Sequence, residues 1–166
     1  VFEPGSVLEA LEKAKDEGLI RHIGVTVHRN PKYALAALER YPFATALVPV
    51  NPLDVQHLSF VRDLLPVARS KNVGVIAMKV YAGGGLLTAR GGPLTVRECL
   101  RYALSQEGVD IAVPGCQTVE HVEEAFEALR NDQPLTDDER QALEEKVGEH
   151  RGRSSEWYKE TKAADD

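Results

Sequence analysis

Residues 73–80 read Val-Gly-Val-Ile-Ala-Met-Lys-Val, and this almost uninterrupted apolar run is the strongest indication of the fold. Three shorter runs of the same character occupy residues 22–27, 44–50 and 109–113. A strand with one face in water alternates apolar and polar residues, whereas a parallel strand covered by helices is apolar throughout. The four runs therefore predict four parallel strands that are buried on both faces.

Segments with helical periodicity separate these strands. They cover residues 6–17, 31–40 and 58–71, followed by helices that begin after Thr95, Thr118 and Thr136, the last running to about His150. Three pairs have the spacing of a capping box: Ser6 with Glu9, Thr95 with Glu98 and Thr136 with Glu139. Pro66 argues against an uninterrupted third helix. Thr118 can cap a helix that carries Val119, Val122, Phe126 and Leu129.

Alternation of strand and helix predicts the α/β class with a parallel sheet. Four strand–helix units after a leading helix correspond to half of a (β/α)₈ TIM barrel, whose complete form needs about 250 residues. A small doubly wound sheet is the alternative. We expect residues 1–150 to form this half-barrel and residues 151–166 to form a polar C-terminal tail, in which Trp157 and Tyr158 could dock.

Composition and charge argue against several classes of function. The chain has 166 residues, 20 basic and 26 acidic, so its net charge of −6 argues against a nucleic-acid surface or an anionic membrane. No apolar run approaches the roughly 20 residues of a membrane span. Two cysteines, without metal-ligand spacing or a disulfide framework, favour the reducing cytoplasm. The five histidines also lack the spacing of a metal site.

Functional residues of both candidate folds lie in the loops that follow the strands. The loop after the third strand combines Lys79 with three successive glycines, whose backbone amides can approach an anion, although a flexible connection has the same composition. The loop after the fourth strand places Gly115, Cys116 and Thr118 before a helix N-terminus, which suits a phosphate but is equally a plain helix cap. Phosphate sites built from the last two strand loops recur in barrels, which favours the half-barrel.

Four short stretches give the chain a resemblance to a known family. They are Gly18–Thr26 (GLIRHIGVT), Val50–Asp54 (VNPLD), Gly74–Lys79 (GVIAMK) followed by Gly83–Leu86 (GGGL), and Val113–Gly115 (VPG) with Val122–Glu124 (VEE). In order and spacing, to about Leu129, the chain resembles the aldo-keto reductases, specifically strands five to eight of their barrel with the C-terminal helix.

The resemblance implies a nicotinamide cofactor, usually NADP, lying across the strand ends. Thr26 and His28 match the loop that holds the carboxamide, and Met78 matches the position that stacks on the nicotinamide ring. The other implied cofactor-binding residues are Lys79, Gly83, Gly84, Gly85 and Leu86 at the pyrophosphate, and Gly115, Cys116, Gln117, His121 and Glu124 at the adenosine end. His121 replaces a common arginine at the 2′-phosphate, which leaves NAD possible as well.

The catalytic residues of the family belong to the first half of the barrel, so we assign no catalytic residue in this chain. We expect an NAD(P)H-dependent carbonyl reductase represented by its cofactor-binding half, inactive by itself. In the complete enzyme its partners would be the nicotinamide cofactor and a small carbonyl substrate. The alternative is a non-catalytic half-barrel or small-molecule-binding domain that self-associates through its exposed sheet edges.

Overall fold

The computed structural model describes residues 2–3, 5–130, 133–148 and 156–159 of the chain. Its strands are β1 (Gly24–Thr26), β2 (Thr45–Pro49), β3 (Gly74–Met78) and β4 (Ile111–Ala112). All neighbouring strands are parallel, and the sheet order β1-β2-β3-β4 follows the chain. A doubly wound sheet reverses its strand order at a switch point. The sequential order therefore confirms the barrel-like prediction and makes the doubly wound alternative wrong.

Seven α-helices are described between and after these strands. They are α1 (Val7–Asp16), α2 (Pro31–Arg40), α3 (Phe60–Asp63), α4 (Leu65–Ser70), α5 (Val96–Leu104), α6 (Val119–Leu129) and α7 (Asp137–Gly148). The predicted third helix is divided at Leu64, one residue before α4, where Pro66 occupies a first-turn position. The predicted end of the last helix near His150 lies outside the described residues.

Helix caps follow the sequence in two of the three predicted boxes. Thr95 and Glu98 exchange both hydrogen bonds at the start of α5, and Thr136 and Glu139 do the same before α7. At α1 the predicted box is wrong: Ser6 accepts no side-chain hydrogen bond, and Glu9 instead accepts from the amide of Gly5, 2.6 Å away.

Burial divides the sheet into two unequal faces. Alternate residues Ala46, Val48, Val75 and Ala77 are fully buried where helices cover the sheet. The opposite face carries a row in register, Thr26–Leu47–Ile76–Ile111, whose members are partly or largely exposed. The prediction of strands buried on both faces is therefore wrong. In a complete barrel this second face lines the interior. Four strands do not close a barrel, so the face stays partly exposed here.

Most of the apolar residues that the sequence places on α6 also lie outside the core. Val119, Val122 and Phe126 are exposed by 68, 56 and 67%, whereas Ala125 is the buried residue of the helix. Ala125 lies on the side where α6 packs against α5. The apolar stripe of α6 is left without cover among the described residues, because the sheet ends at β4.

Candidate functional site

The parallel strands bring all four following loops to one edge of the sheet. Thr26 is the last residue of β1, and its side chain is exposed, as is that of His28 in the loop beyond. Met78 ends β3 and is buried, in register with Pro49 of β2. β1 and β4 are three strand spacings apart, about 14 Å. The implied carboxamide and adenosine positions are thus on one edge but well separated, which suits an extended ligand.

The glycine-rich loop after β3 has an unusual backbone. Lys79, Ala82, Gly83 and Gly84 all have positive φ, at 55, 48, 70 and 94°. For Lys79 and Ala82, which carry a Cβ, this left-handed conformation is strained. Such strain persists only when the surrounding structure imposes it, and it often accompanies a functional loop.

Several amides of this loop bond within the loop. The amide of Gly84 donates to the Tyr81 carbonyl at 2.8 Å, and that of Leu86 donates to the same carbonyl at 3.3 Å. The amide of Gly85 donates to the Ala82 carbonyl at 3.4 Å. The sequence left open whether these amides approach an anion or belong to a flexible connection. In this conformation they close turns instead, so charge for an anion comes from side chains.

Two cationic side chains border the loop. Lys79 lies at the strand end and is half-buried. The guanidinium of Arg90 packs across Gly84, where a Cβ would come within 2.8 Å of its Nη1. Arg90 was not among the residues singled out by the sequence, because it lies four residues beyond the glycine motif and only the fold returns it there.

The loop after β4 is organised around His121. Thr118 caps α6 by accepting from the His121 amide at 3.3 Å. The imidazole Nδ1 of His121 accepts from the Gln117 amide at 3.2 Å, and its carbonyl accepts from the Cys116 thiol at 3.5 Å. A Cβ at Gly115 would meet no atom within 4 Å, so the approach to this loop is open. Glu124 is exposed on α6 one turn further on.

Tyr81 connects the last two loops electrostatically. Burial raises the pKa of its hydroxyl far above the usual range, and the nearby groups of Cys116, Cys99 and Glu124 add to the increase. The glycine-rich loop and the Cys116–Glu124 segment therefore lie near each other. A neutral, buried phenol is a packing group.

The loop after β2 contains polar residues that the sequence did not assign. Asp54 is completely buried, and its carboxylate accepts from the Ser59 hydroxyl at 2.9 Å and the Val61 amide at 2.8 Å. Burial raises the pKa of Asp54, while the ammonium of Lys159, 2.8 Å away, opposes this increase. The sequence contains a signal for this polar site, because Asn-Pro-Leu-Asp comes directly after a strand. It does not indicate the partner of Asp54, which lies 105 residues away.

The C-terminal segment 156–159 supplies that partner. Lys159 is 6% exposed and donates to Asp54 Oδ1 and to the His57 carbonyl. Tyr158 is buried, and its hydroxyl accepts from Asn51 Nδ2 at 2.9 Å. Trp157 remains 65% exposed. Docking of these aromatic residues, raised by the sequence as a possibility, is thus observed for residues 156–159.

Other candidate sites have less support from the described residues. A polar groove of about 790 Å³ is lined by Val55 and Gln56 of the loop after β2, by Arg62 and by residues of α7. Within the described ranges, no three His, Cys, Asp or Glu side chains are placed as metal ligands. None of the described helices is long and apolar enough to cross a membrane.

Several solved structures share this arrangement of parallel strands and helices. The holo form of aldo-keto reductase AKR11C1 from Bacillus halodurans matches with a TM-score of 0.69 at 21% identity, covering 87% of this chain and 56% of that chain. Its apo form gives 0.70 at 21% identity, covering 88% and 58%. Glycerol dehydrogenase AKR11B4 from Gluconobacter oxydans gives 0.61 at 20% identity, covering 89% and 56%. The chain thus spans a little over half the length of these enzymes.

No curated protein sequence matches the chain significantly. The model of the aldo/keto reductase family matches residues 4–98, more than half of the chain. The sheet order agrees with this match, since four sequential parallel strands with their helices are a continuous part of a TIM barrel. The chain therefore belongs to the aldo/keto reductase family.

Proposed function

We propose that this chain is the cofactor-binding half of an NAD(P)H-dependent oxidoreductase that interconverts carbonyl compounds and alcohols. The observation that carries the proposal is the single sheet edge at which Thr26, Lys79 and the Gly115–Glu124 segment meet. Ligands of open parallel sheets and barrels bind at this carboxyl edge. We also propose the half-barrel, residues 1–150, as the unit that holds the cofactor, with residues 151–166 as a C-terminal extension.

The residues present fit a dinucleotide. Lys79 and Arg90 provide positive charge beside the glycine-rich loop, where Arg90 packs against Gly84 and Trp157 packs against Gly83. Gly115 leaves open space at the adenosine end. Thr26 and His28 provide hydrogen-bonding side chains at the other end, near the apolar Met78. Cations, small residues and polar groups thus occur in the order that a pyrophosphate-linked ligand requires.

Each residue has a defined part in this proposal. Thr26 and His28 orient the carboxamide, and Met78 provides an apolar contact to the ring. Lys79, with Gly83, Gly84, Gly85 and Leu86, holds the pyrophosphate, while Gly115, Cys116, Gln117, His121 and Glu124 hold the adenosine end. The bound nicotinamide would supply the hydride. This chain contributes binding and orientation, and the general acid belongs to a part of the barrel outside these four strands.

Binding of NADP⁺ tests the proposal. In equilibrium dialysis of the 166-residue chain, we expect saturable NADP⁺ binding that Lys79→Met weakens at least tenfold, because a charge-assisted contact to phosphate is lost. Lys32→Met on α2 is the matched control and should leave the affinity unchanged. The absence of saturable binding, or an equal effect of both substitutions, contradicts the proposal.

The finer assignments have separate measurements. NADP is proposed over NAD, so the affinity for NADP⁺ should exceed that for NAD⁺; equal affinities contradict the preference.

Because the chain lacks an assigned catalytic acid, we expect no NADPH-dependent reduction of simple aldehydes, and clear turnover would overturn the division of roles. A cytoplasmic location is proposed from the unpaired cysteines.

A second candidate function is self-association of a non-catalytic half-barrel. The exposed stripe of α6 and the exposed Ile111 and Val113 at the β4 edge favour it. Unpaired parallel edges and uncovered apolar surface both promote pairing with another chain. Two copies related by a twofold axis would place β4 of each beside β1 of the other and complete eight strands.

A further inference from the structure

The segment 156–159 is anchored to the edge of the sheet by a buried ion pair. Lys159 Nζ donates to Asp54 Oδ1 at 2.8 Å, to the His57 carbonyl at 2.6 Å and to the Asp54 carbonyl at 3.3 Å, and it lies 2.9 Å from Glu156 Oε1. The side chains of Lys159 and Asp54 are 2% and 0% exposed. Removing one member of such a pair leaves an uncompensated buried charge, so the anchor is not readily released.

Asn51 joins this anchored segment to the glycine-rich loop. Its side-chain amide donates to the Tyr158 hydroxyl at 2.9 Å and to the Lys79 carbonyl at 3.1 Å. The Tyr158 hydroxyl in turn donates to Glu156 Oε1 at 3.2 Å. A single buried amide therefore holds the start of the loop, at the strained Lys79, against the C-terminal segment.

The same segment covers the Lys79 ammonium with aromatic rings. Lys79 Nζ lies 5.4 Å from the ring centroid of Trp157 and 5.8 Å from that of Tyr158. The Trp157 indole also crosses Gly83, where a Cβ would come within 3.1 Å of its Nε1. Trp157 is 65% exposed, in contrast to Tyr158 and Lys159, which are buried. The ring is thus a surface cover over the cation that the proposed function assigns to the pyrophosphate.

The segment is held by two contacts that differ in strength and accessibility, the exposed contact of Trp157 with Lys79 and the buried ion pair of Lys159 with Asp54. An exposed cation–π contact is weak, whereas an ammonium–phosphate hydrogen bond is charge-assisted and considerably stronger. An anion that reaches Lys79 therefore replaces Trp157 as its partner, while Lys159 and Asp54 keep the segment attached. The indole would be displaced at one end of a segment whose other end stays in place.

We infer that residues 156–159 form an anchored cover whose Trp157 leaves Lys79 when a phosphate or pyrophosphate group binds there. This inference rests on the proposed function for the identity of the natural ligand, a dinucleotide, but its chemistry requires only the phosphate group. Lys79 then alternates between two partners, the indole in the free protein and the anion in the complex.

Trp157 is the only tryptophan of the chain, so its fluorescence reports this contact directly. Inorganic pyrophosphate and NADP⁺ are titrated separately, with binding measured in parallel by equilibrium dialysis. We expect both probes to shift the emission maximum to longer wavelength in a saturable way, at the concentrations at which they bind. Lys79→Met should show the shifted emission before any addition and respond to neither probe. Lys32→Met, whose lysine lies beside Tyr33, should behave as the unaltered chain.

The outcomes separate this inference from the proposed function. If NADP⁺ binds without changing the emission, the cover is not displaced and the inference fails while the proposed function stands. If pyrophosphate shifts the emission but NADP⁺ does not bind, the inference stands and the dinucleotide assignment fails. If neither probe binds, the inference is overturned as well.

A second variant tests the anchor. Lys159→Gln should give the longer-wavelength emission without ligand, because the segment loses its attachment at Asp54, while circular dichroism retains the helical signal. An unchanged emission spectrum in a folded Lys159→Gln chain would overturn the role of the ion pair.

Discussion

Single residues of the loop after β3 are constrained by close backbone contacts rather than by their chemistry. Gly92 lies against the carbonyl group of Leu86, well inside the van der Waals contact distance for an added Cβ. By contrast, Gly115 has open space around it, although both are glycines of candidate site loops. The difference depends on a chain reversal over residues 86–94, where the Leu94 amide donates to the Leu86 carbonyl.

We expect Gly92→Ala to destabilise the chain by about 1–3 kcal/mol, the usual cost of forcing an extra methyl group into a packed position. Gly115→Ala is the matched control, and a change within about 0.5 kcal/mol is expected. Urea denaturation monitored by circular dichroism measures both. Equal stabilities for the two variants would show that the Leu86–Gly92 contact yields without cost.

The two cysteines differ in burial, so we expect them to differ in reactivity. Cys99 is fully buried on α5, and burial, with a contribution from Glu98, raises the pKa of its thiol to about 12. Only the thiolate reacts with thiol reagents. A disulfide reagent at pH 8 should therefore label one thiol per folded chain, Cys116, and two in denaturant. The Cys116→Ser chain should label only when unfolded, and rapid native labelling of that variant would contradict the buried position.

At the scale of elements, the same capping-box spacing does not give the same hydrogen bonds at every helix start. Ser6–Glu9 and Thr95–Glu98 have the same spacing, yet only the second pair forms a capping box. Glu98 is held from a second direction, since Lys146 of α7 donates to its Oε1 at 2.8 Å. That contact joins two helices 48 residues apart and keeps the carboxylate in place to bond Thr95.

This arrangement predicts a pH dependence of stability. Partial burial raises the pKa of Glu98, but hydrogen bonds from Lys146 and Thr95 outweigh it, so the folded-state pKa lies below its ordinary value of 4.5. A depressed folded-state pKa gives stabilisation that is present above the unfolded value and lost as the pH falls through the folded one. The destabilisation caused by Glu98→Gln should therefore be largest near neutral pH and shrink below about pH 4.5. Urea midpoints between pH 3 and 7 measure it, and a difference independent of pH would contradict it.

At the scale of the whole molecule, the main feature is an open sheet with one uncovered face. The row Leu47–Ile76–Ile111 and the α6 stripe are apolar, yet nothing among the described residues buries them fully. Burial of apolar area is the main driving force for association. The second candidate function would bury these two surfaces.

If two copies complete a barrel, sedimentation equilibrium should show a dimer at tens of micromolar concentration. Phe126→Lys, on the exposed face of α6, should shift the chain to monomer by placing a charge in the interface. Tyr33→Lys, at a half-exposed position on α2, is the control and should remain dimeric. A monomer at all concentrations, or equal behaviour of both variants, would contradict self-association.

Most of the fold was predictable because its signals are local. Apolar runs placed all four strands to within two residues of their observed ends, and Pro66 marked the division between α3 and α4. The edge that carries the candidate site was equally predictable, since parallel strands place their following loops together. The prediction that both faces of the sheet are buried was wrong because an apolar run indicates which residues suit burial but not whether a partner covers them. The exposed stripe of α6 has the same explanation.

The sequence by itself determined the α/β class, the order of the elements and the loops that carry the candidate cofactor residues, because periodicity and turn residues act over short distances. Only the tertiary structure decided that Lys159 pairs with Asp54, that Trp157 covers Lys79 and that Arg90 returns to Gly84. These contacts join residues far apart in the chain or across an irregular loop, and no local pattern records them. A buried charge requires a partner, but only the folded chain determines which one it finds.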